Sequence, residues 1–273
     1  MSNFLNEIIE LKKKRLELAK SKMPFEDLMQ KAFEVREKAE SNGLQKALAG
    51  KNKISIIAEI KRASPSKGVI NDKIDVAETA QMYERGGACA ISVLTEEDRF
   101  QGSLEDLKTV RANVSLPILR KDFIFDEFQI YEAAEAGADV ILLIAAMLDD
   151  EILLKLYRLA KQELSLDVLL EVHTLEELER AKKIGAKIIG VNNRDLNSFK
   201  VSLDVSRELI KHAPKDSLLI SESGLQTRED LLELGELGFN GFLIGETLMR
   251  SENIEDKLRH LTANKHEITQ KFP

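Results

Sequence analysis

Cysteine, tryptophan and proline are scarce in this sequence of 273 residues, which contains one cysteine, no tryptophan and five prolines. The single cysteine, Cys89, can form neither an intrachain disulfide nor a thiolate zinc site. It lies between Ala88 and Ala90 in an apolar run, so we interpret it as a small core residue. The four histidines lack the spacing of metal ligands, and we predict no metal site.

Long hydrophobic runs and a surplus of basic residues are also lacking. No apolar stretch approaches the ~18 residues that cross a bilayer, and the charged N-terminal segment lacks the apolar part of a signal peptide. Lys and Arg number 40 against 47 Asp and Glu, a formal net charge of −7. This balance excludes a broad basic face for nucleic acid or an anionic membrane, but leaves room for a small anionic substrate. We interpret the run Lys12–Arg15 as a solvated helix face and expect a cytoplasmic protein.

Hydrophobic residues make up 43% of the sequence and charged residues 32%, a mixture that can bury a full core. Residues 1–50 contain no strand-like run, but two segments, at 4–11 and 24–39, have apolar residues at helical spacing. We therefore predict one domain overall. It consists of an N-terminal helical extension (1–50), a main unit (51–265) and a short C-terminal tail (266–273).

From residue 54 onward, short apolar runs alternate with segments of helical period. The predicted strands are Ile54–Ile60, Ala88–Leu94, Pro117–Leu119, Asp139–Ile144, Val168–Val172, Lys187–Val191, Leu218–Ser221 and Gly241–Ile244. Eight strand–helix units predict an α/β fold, a (βα)8 TIM barrel, and continuous apolar runs are typical of strands buried on both faces. Gly137, Gly185 and Gly238 each precede a strand, where a C-terminal helix cap belongs. The alternative, a doubly wound open sheet, predicts a G-x-G-x-x-G turn that the sequence lacks.

Polar residues at the C-terminal ends of the strands are informative, because a barrel of this kind carries its site there. Glu59, Glu171 and Glu222 each lie at the end of a predicted strand. Glu59 and Lys61 are two residues apart, so both side chains point to the same side, the interior or its mouth. The alternative is a purely structural Glu59–Lys61 pair, since burying an unpaired charge costs several kcal/mol per ion. The additional presence of Lys121 favours a converging set of acids and bases.

Two turns of small residues are candidates for phosphate binding. Ser223-Gly224 follows the seventh strand, and Gly245-Glu246 follows the eighth. Free backbone N–H groups in these two loops form the usual phosphate site of such barrels. A glycine in a turn is weak evidence by itself, whereas the pair in these two loops favours a phosphate-bearing substrate.

The ordered blocks resemble the indole-3-glycerol phosphate synthase family over residues 1–265. The segment 56–68, IIAEIKRASPSKG, is similar to the signature of that family. Further matching blocks follow in the same order: Leu94-Thr95-Glu96, Phe100-x-Gly102-Ser103, Leu119-Arg120-Lys121-Asp122-Phe123, Leu170-Glu171-Val172, Asn192-Asn193-Arg194-Asp195-Leu196, Ser221-Glu222-Ser223-Gly224 and Leu243-Ile244-Gly245-Glu246.

The resemblance implies conversion of 1-(2-carboxyphenylamino)-1-deoxyribulose 5-phosphate to indole-3-glycerol phosphate, with loss of CO2 and water, in tryptophan biosynthesis. It implies no cofactor and no metal. Lys121 matches the general acid that activates the C2′ carbonyl for ring closure, and Lys61 is expected to hold the departing carboxylate. Lys61 and Glu171 are expected to serve the dehydration, with the choice of acid and base left open.

The resemblance also implies the other site residues. Glu59 and Asn192 match residues that bind the substrate hydroxyls and orient the lysines, and Glu222 matches a further polar residue. Arg194 is expected to steady Glu59 or the anionic substrate. The phosphate-binding residues are expected to be Ser64, Ser66, Ser223, Gly224, Gly245 and Glu246. The wall of the anthranilate pocket is expected to be Phe100, Phe123 and Leu142.

Two other functions fit parts of the pattern. A lysine Schiff-base aldolase or a sugar-phosphate isomerase is another phosphate-binding barrel, and Lys121 would form the imine. An inactive barrel serving as a partner subunit predicts decay of the site residues, which are intact.

His173 precedes the expected N-cap Thr174, so we interpret it as a loop histidine without a catalytic role. We expect a monomer or weak homodimer that binds a small anionic phosphate.

Overall fold

The computed structural model describes residues 3–50 and 54–263 of the chain. The predicted tail, 266–273, lies outside the described residues, as do residues 51–53 at the predicted start of the main unit. Within the two described ranges, no helix is both long enough and apolar enough to cross a membrane.

Eight parallel strands form a closed barrel, in which each strand pairs with its neighbours in the chain. They are β1 (Ile56–Ile60), β2 (Ala90–Leu94), β3 (Ile118–Lys121), β4 (Val140–Ile144), β5 (Asp167–Val172), β6 (Ile188–Asn192), β7 (Leu218–Glu222) and β8 (Gly241–Ile244). The barrel closes where β8 pairs with β1, with Ala58 opposite Ile244. The strands are buried almost throughout, as their apolar runs require. The predicted TIM barrel is confirmed.

Three strands extend to polar residues that the prediction left outside them. Lys121 is the last residue of β3, Asn192 of β6 and Glu222 of β7. Parallel pairing continues to these positions, since Leu94 is opposite Lys121 and Asn192 is opposite Glu222. The prediction stopped the first two of these strands at their last apolar residues, Leu119 and Val191, and the third at Ser221, whereas backbone pairing does not depend on side-chain polarity. These polar side chains are therefore held by regular sheet structure.

Helices follow the strands around the barrel, and most of them begin at a side-chain cap. They are α4 (Val76–Gly86), α5 (Leu104–Asn113), α6 (Glu127–Glu135), α7 (Asp150–Arg158), α8 (Leu175–Ile184), α9 (Asp204–Leu209), α10 (Arg228–Leu237), α11 (Glu246–Met249) and α12 (Ile254–Thr262), preceded in the chain by three helices of the extension. Thr174 accepts a hydrogen bond from the Glu177 amide at the start of α8, as predicted. Gly185 and Gly238 end α8 and α10 with φ of 75° and 119°, a region that favours glycine.

The N-terminal extension contains α1 (Asn3–Lys22), α2 (Phe25–Arg36) and α3 (Gly43–Leu48). The first two were predicted, although α2 ends at Arg36 and not near Ala39. The third was missed, because a helix of six residues shows too few turns for a periodic pattern.

The first helix of the extension lies across the C-terminal mouth of the barrel. Lys12 is almost fully buried there, and its Nζ is 2.8 Å from Asp122 Oδ2 at the end of β3. The interpretation of the run Lys12–Arg15 as a solvated face was therefore wrong for Lys12, because its partner lies far away in the sequence. Arg15 makes two hydrogen bonds of 2.7 Å to Asp98 in the loop after β2. The position of α1 is therefore fixed by charged contacts to two loops that surround the mouth.

The second and third helices carry the extension to the opposite, N-terminal face of the barrel. The buried guanidinium of Arg36 donates to the carbonyl oxygens of Leu164 at 2.9 Å and Ser165 at 3.0 Å, just before β5. Asp167 is buried at the start of β5 and accepts hydrogen bonds from the Leu44 and Gln45 amides of α3. Its carboxylate satisfies N–H groups that the first turn of a helix leaves free. The extension therefore spans the barrel from mouth to base.

Candidate active site

A cavity of about 850 Å³ opens at the C-terminal ends of the strands. Its walls include every residue proposed from the sequence: Glu59, Lys61, Ser64, Ser66, Phe100, Lys121, Phe123, Leu142, Glu171, Asn192, Arg194, Glu222, Ser223, Gly224, Gly245 and Glu246. The volume lies in the range of small-molecule sites. The structure therefore brings all of the predicted residues into one cavity.

Lys121 lies between two carboxylates inside this cavity. Its Nζ is 3.0 Å from Glu171 Oε2 and 3.3 Å from Glu222 Oε2. The three residues come from β3, β5 and β7, so alternate strands of the barrel supply them. All three side chains are largely buried, and ionic contacts in such surroundings are strong. An ammonium is thereby fixed at the centre of the mouth.

The remaining polar groups form a second ion pair, and an asparagine that contacts Glu171. Lys61 Nζ is 2.6 Å from Glu59 Oε1, as expected from their spacing. Asn192 donates from Nδ2 to Glu171 Oε1 at 3.1 Å and accepts from the Arg194 amide at 3.0 Å. Asn192 thus orients Glu171, which in turn contacts Lys121.

Burial and charge act in opposite directions on the pKa of Lys121. Burial alone favours the neutral amine, but the nearby carboxylates of Glu171, Glu222 and Glu59 outweigh it, and the pKa is raised. Burial raises the pKa of Glu222 to about 7, with the charges of Glu171 and Glu59 adding to it and Lys121 opposing it. At neutral pH the cavity therefore holds a protonated lysine beside a carboxyl that titrates near pH 7.

Two turns with small residues line the side of the cavity near β7 and β8. Ser223 and Gly224 have φ of 67° and 80°, so their consecutive amides follow a left-handed backbone. Gly245 packs directly against Glu59, and a Cβ here would overlap its carboxylate. The carboxylate of Glu246 is 3.2 Å from the Arg250 Nε, so this acidic group is partly neutralised. The turns present backbone donors beside cations, an arrangement suited to an anion.

Aromatic rings form the opposite wall. Phe123 lies 6.1 Å from Phe100 between ring centroids, and Leu142 completes the predicted apolar patch. Two rings that the prediction missed extend it: Phe4 of α1 is 6.2 Å from Phe123 and 5.1 Å from Phe199. Neither was found from the sequence, because each comes from a segment that reaches the mouth only after folding.

Other residues missing from the prediction also line the cavity. They include Pro65, Lys67, Leu94, Ile144, Leu196, Val201, Thr247 and Arg250. Their only sequence signal is proximity to the blocks at the strand ends, and that signal does not separate lining residues from their neighbours.

Arg194 does not make the contact with Glu59 that was one of its two expected contacts. Its Nη1 donates to Ser66 Oγ and to the Phe199 carbonyl oxygen, both at 3.2 Å, while Glu59 pairs with Lys61. Arg194 therefore joins two loops of the rim and does not steady Glu59. The Glu59 alternative was wrong because Arg194 lies in the loop beyond β6, which ends at Asn192. The other alternative, that Arg194 steadies the anionic substrate, stays a prediction.

Glu96, Glu97 and Asp98 form an acidic cluster whose carboxylate oxygens lie within 4.8 Å of one another. Both Glu96 oxygens are engaged, since they accept hydrogen bonds from the amides of Asp98, Arg99 and Phe100. These bonds shape the loop that presents Phe100 to the cavity, and Asp98 pairs with Arg15. The cluster therefore serves as a scaffold for the loop.

Two residues interpreted as structural have structural contacts. Cys89 packs against the core next to β2, and burial raises the pKa of its thiol to about 12. His173 follows β5, and its Nδ1 is 2.7 Å from the Asn192 carbonyl oxygen.

Comparison with known families decides the assignment. The family model described as "Indole-3-glycerol phosphate synthase" matches residues 5–261. The chain belongs to this family.

Curated relatives agree with that result. The indole-3-glycerol phosphate synthase of Carboxydothermus hydrogenoformans is 45% identical over 266 residues, covering 95% of this chain and 100% of that protein. The one from Legionella pneumophila (strain Paris) is 43% identical over 261 residues, covering 96% and 99%. The predicted family and enzyme class, a carboxy-lyase of tryptophan biosynthesis, are confirmed.

Two solved structures resemble the chain in fold alone. Thiamine phosphate pyrophosphorylase from Pyrococcus furiosus has a TM-score of 0.59 at 19% identity, covering 80% of this chain and 95% of that one. 3-Hexulose-6-phosphate synthase from Salmonella typhimurium has a TM-score of 0.61 at 14% identity, covering 76% and 96%.

Proposed function

We propose that this chain closes the indole ring of 1-(2-carboxyphenylamino)-1-deoxyribulose 5-phosphate and releases indole-3-glycerol phosphate. The ring carbon that bears the carboxylate bonds to C2′, the carboxylate leaves as CO2, and the C2′ oxygen leaves as water. The observation that supports this most is the contact of Lys121 with Glu171 and Glu222 inside the cavity. An aromatic wall lies on one side of these groups and the small-residue turns on the other.

Lys121 is the general acid of ring closure in this proposal. As the ring carbon attacks C2′, negative charge grows on the carbonyl oxygen, and the Lys121 ammonium donates a proton to it. Its raised pKa supports a protonated state at neutral pH. Glu171, 3.0 Å away, is placed to stabilise the lysine ammonium. General acid catalysis of this kind contributes about 10²–10⁴ in rate.

Lys61 and the remaining polar groups act in the later steps. Lys61 holds the carboxylate until CO2 leaves, which restores the aromatic ring. Loss of the C2′ hydroxyl then requires an acid and a base, which we assign to Lys61 and Glu171 as a pair, in either order. Glu59 and Asn192 bind the substrate hydroxyls, and their bonds to Lys61 and Glu171 orient those two groups.

The substrate fits the cavity with its two ends apart. Its phosphate lies against Ser64, Ser66, Ser223, Gly224, Gly245 and Glu246. Its flat anthranilate ring packs on Phe100, Phe123 and Leu142, with Phe4 and Phe199 adding to the same wall. Arg194 acts on the rim by joining Ser66 to the loop of Phe199.

A Schiff-base reaction at Lys121 is disfavoured by the same contacts. Imine formation needs a neutral amine, usually obtained when other cations lower the pKa of the lysine. The carboxylates around Lys121 raise it instead. Treatment with borohydride and substrate should therefore leave no covalent adduct, as mass spectrometry of the intact chain would measure.

Turnover of the substrate by the purified chain, followed through the fluorescence of the indole product, tests the function directly. We expect turnover in the presence of EDTA, since no step assigned above uses a metal. Failure of the folded parent chain to form product would contradict the proposal.

We further propose a cytoplasmic monomer or weak homodimer with a helical extension at 1–50. Sedimentation would test the oligomeric state, and cell fractionation would test the location.

A further inference from the structure

Gly190 lies in the middle of β6, between Glu171 of β5 and Ile220 of β7. Glycine weakens a strand interior, so it calls for a local reason. Its φ is outside the left-handed range, and conformational freedom is not that reason. A Cβ at this position would overlap Glu222 Oε1, and it would lie 3.2 Å from Glu222 Cδ and 3.1 Å from Leu169 Cδ1. The volume that a side chain would fill is occupied by a carboxylate.

The two oxygens of Glu222 have different surroundings. Oε2 is 3.3 Å from Lys121 Nζ. Oε1 is buried and has no hydrogen-bond partner among the described residues. No polar contact therefore holds Oε1 in place, and the shape of the recess above Gly190 sets its position. That recess determines which way the whole carboxylate is turned.

We infer that Gly190 is a positioning residue, whose missing side chain creates the recess that seats one oxygen of Glu222 and turns the other toward Lys121. The kinetic part of this inference rests on the proposed function. The steric part does not, since it concerns only the placement of Glu222 in the free protein.

Moving the Glu222 carboxylate out of the recess should change its pKa, because burial and nearby charges set that pKa. The groups that face it are Lys121 of β3, Glu171 of β5 and Glu59 of β1, the last paired with Lys61. Seating in the recess buries the carboxyl, and burial raises its pKa to about 7. A methyl group at position 190 would push the carboxylate toward the open cavity, where water stabilises its charge, so its pKa should fall.

Gly190→Ala is the first test, with Gly235→Ala as the matched control. The atom closest to the new methyl group is the end of a flexible side chain, so the strands should remain in place while Glu222 moves. We expect kcat to fall about 10- to 10²-fold, the cost of misplacing a group by roughly 1 Å, with a smaller change in KM. In α10, a Cβ at Gly235 would lie 3.9 Å from Phe242 Cζ, an ordinary contact, and kcat should be unchanged. Equal kcat values in Gly190→Ala and the parent would overturn the inference.

A double-mutant cycle separates this effect from a general loss of packing. Aspartate is one methylene shorter than glutamate, so in Glu222→Asp the carboxylate no longer fills the recess. Adding Gly190→Ala to Glu222→Asp should cost less than about threefold in kcat, and should lower the Tm less than it does in the parent. Additive losses in kcat and Tm would contradict the inference. The Tm comparison remains available if Gly190→Ala alone is only partly folded.

Titration of Glu222 in the free protein tests the steric part without turnover. Carbon-13 NMR of the labelled carboxyl groups would follow Glu222, assigned from the signal lost in Glu222→Gln. We expect a lower pKa in Gly190→Ala than in the parent, and an unchanged or higher pKa would overturn the inference. Inactivity of the parent toward the carboxyphenylamino-deoxyribulose phosphate would count against the proposed function and leave this result standing.

Discussion

Lys121 owes its proposed role to the three carboxylates around it. Glu171, Glu222 and Glu59 keep it charged in a site where burial alone would favour the neutral amine. Charge and proton donation are different contributions, because an ammonium can stabilise the developing oxyanion with or without transferring its proton. Substitutions at this position distinguish the two.

Lys121→Ala should lower kcat by at least ~10²–10⁴, the range for removing one acid–base group. KM should change much less, since the phosphate and ring contacts come from other loops. Lys121→Arg should fail nearly as badly, because a guanidinium is not deprotonated in proteins, whereas a lysine ammonium can transfer its proton. Steady-state kinetics of both variants provide the measurement. An arginine variant within about tenfold of the parent would instead indicate a purely electrostatic role.

Gly224 tests the proposed phosphate-binding turn. Its φ is 80°, and a Cβ at this position would lie 2.5 Å from Val201 Cγ1, so any side chain is strained there. Gly224→Ala therefore measures the steric cost, and Gly224→Asp adds a negative charge beside the phosphate. We expect KM to rise strongly in both and at least ~10-fold further in the aspartate variant, because like charges repel in a partly desolvated site. Inhibition constants for a substrate analogue without phosphate should be similar in the two variants; a further loss in Gly224→Asp would argue against a phosphate at this turn.

The sequence predicted the buried acids and bases better than their partners. Glu59, Lys61 and Lys121 stood out because they lie at the C-terminal ends of apolar strands, and the two-residue alternation related the direction of Lys61 to that of Glu59. For Arg194, one of the two expected partners, Glu59, was wrong, because Arg194 lies in a loop, where no periodicity relates sequence to direction. The pair Lys12–Asp122 was missed because 110 residues separate its members and only the folded chain brings them together.

The helix α1 joins the loops that carry the aromatic wall. Lys12 contacts Asp122, Arg15 contacts Asp98, and the ring of Phe4 packs on Phe123. Each contact restrains a loop that presents an aromatic side chain to the cavity. The extension is therefore expected to support substrate binding as well as stability.

Deletion of residues 1–22 should raise KM and lower kcat while the barrel still folds. This variant retains α3, whose contacts with Asp167 lie at the opposite end of the barrel. Circular dichroism would monitor the fold, and kinetics would measure at least a ~5-fold loss in kcat/KM if two or three loop contacts of ~0.5–1 kcal/mol each are removed. Unchanged kinetics would show that α1 has no influence on the site.

Lys12→Met is the matched control for that deletion. It keeps the helix and its apolar contacts but leaves Asp122 without its buried ammonium, although Thr95 and Arg120 still donate to this carboxylate. We expect a loss of about 3 kcal/mol in the free energy of unfolding, as for other broken buried pairs. Its effect on KM should be smaller than that of the deletion.

Strands were predicted more reliably than the helices of the extension. A parallel barrel requires apolar residues on both faces of each strand, and that requirement leaves a clear pattern in runs such as 140–144. The short helix α3 leaves no comparable pattern, since its first turn is stabilised by Asp167 from 122 residues later in the chain. Elements that depend on a distant partner cannot be found from local periodicity.

The cavity makes the stability of the whole molecule depend on pH. Glu222 has a pKa of about 7 in the folded chain, against ~4.3 in an unfolded one. Between these values the folded chain retains a proton that the unfolded chain has released. The contribution of Glu222 to stability is therefore complete below pH ~4.3 and is lost as the pH rises through about 7. A group that we propose to serve the active site thus weakens the fold in mildly alkaline solution.

Glu222→Gln should remove this dependence. Relative to the parent, its free energy of unfolding should rise by at least ~1.4 kcal/mol between pH 5 and pH 8, the equivalent of one pKa unit. Urea denaturation at the two pH values measures the difference. The exposed Glu151→Gln on α7 is the control and should show no such trend. If the free energy of unfolding of Glu222→Gln differed from that of the parent by the same amount at both pH values, the raised pKa of Glu222 would be contradicted.

The extension is translated before the surfaces that its helices cover. Synthesis proceeds from the N-terminus, yet Lys12 and Arg36 bind residues 110 and 129 positions later. Until α6 has been translated, Phe4 of α1 and Phe25 of α2 lack the aromatic side chains on which they pack, which are Phe123, Phe128 and Tyr131. The nascent chain therefore exposes the apolar faces of α1 and α2 until α6 has emerged, and this interval is when a chaperone has most to protect.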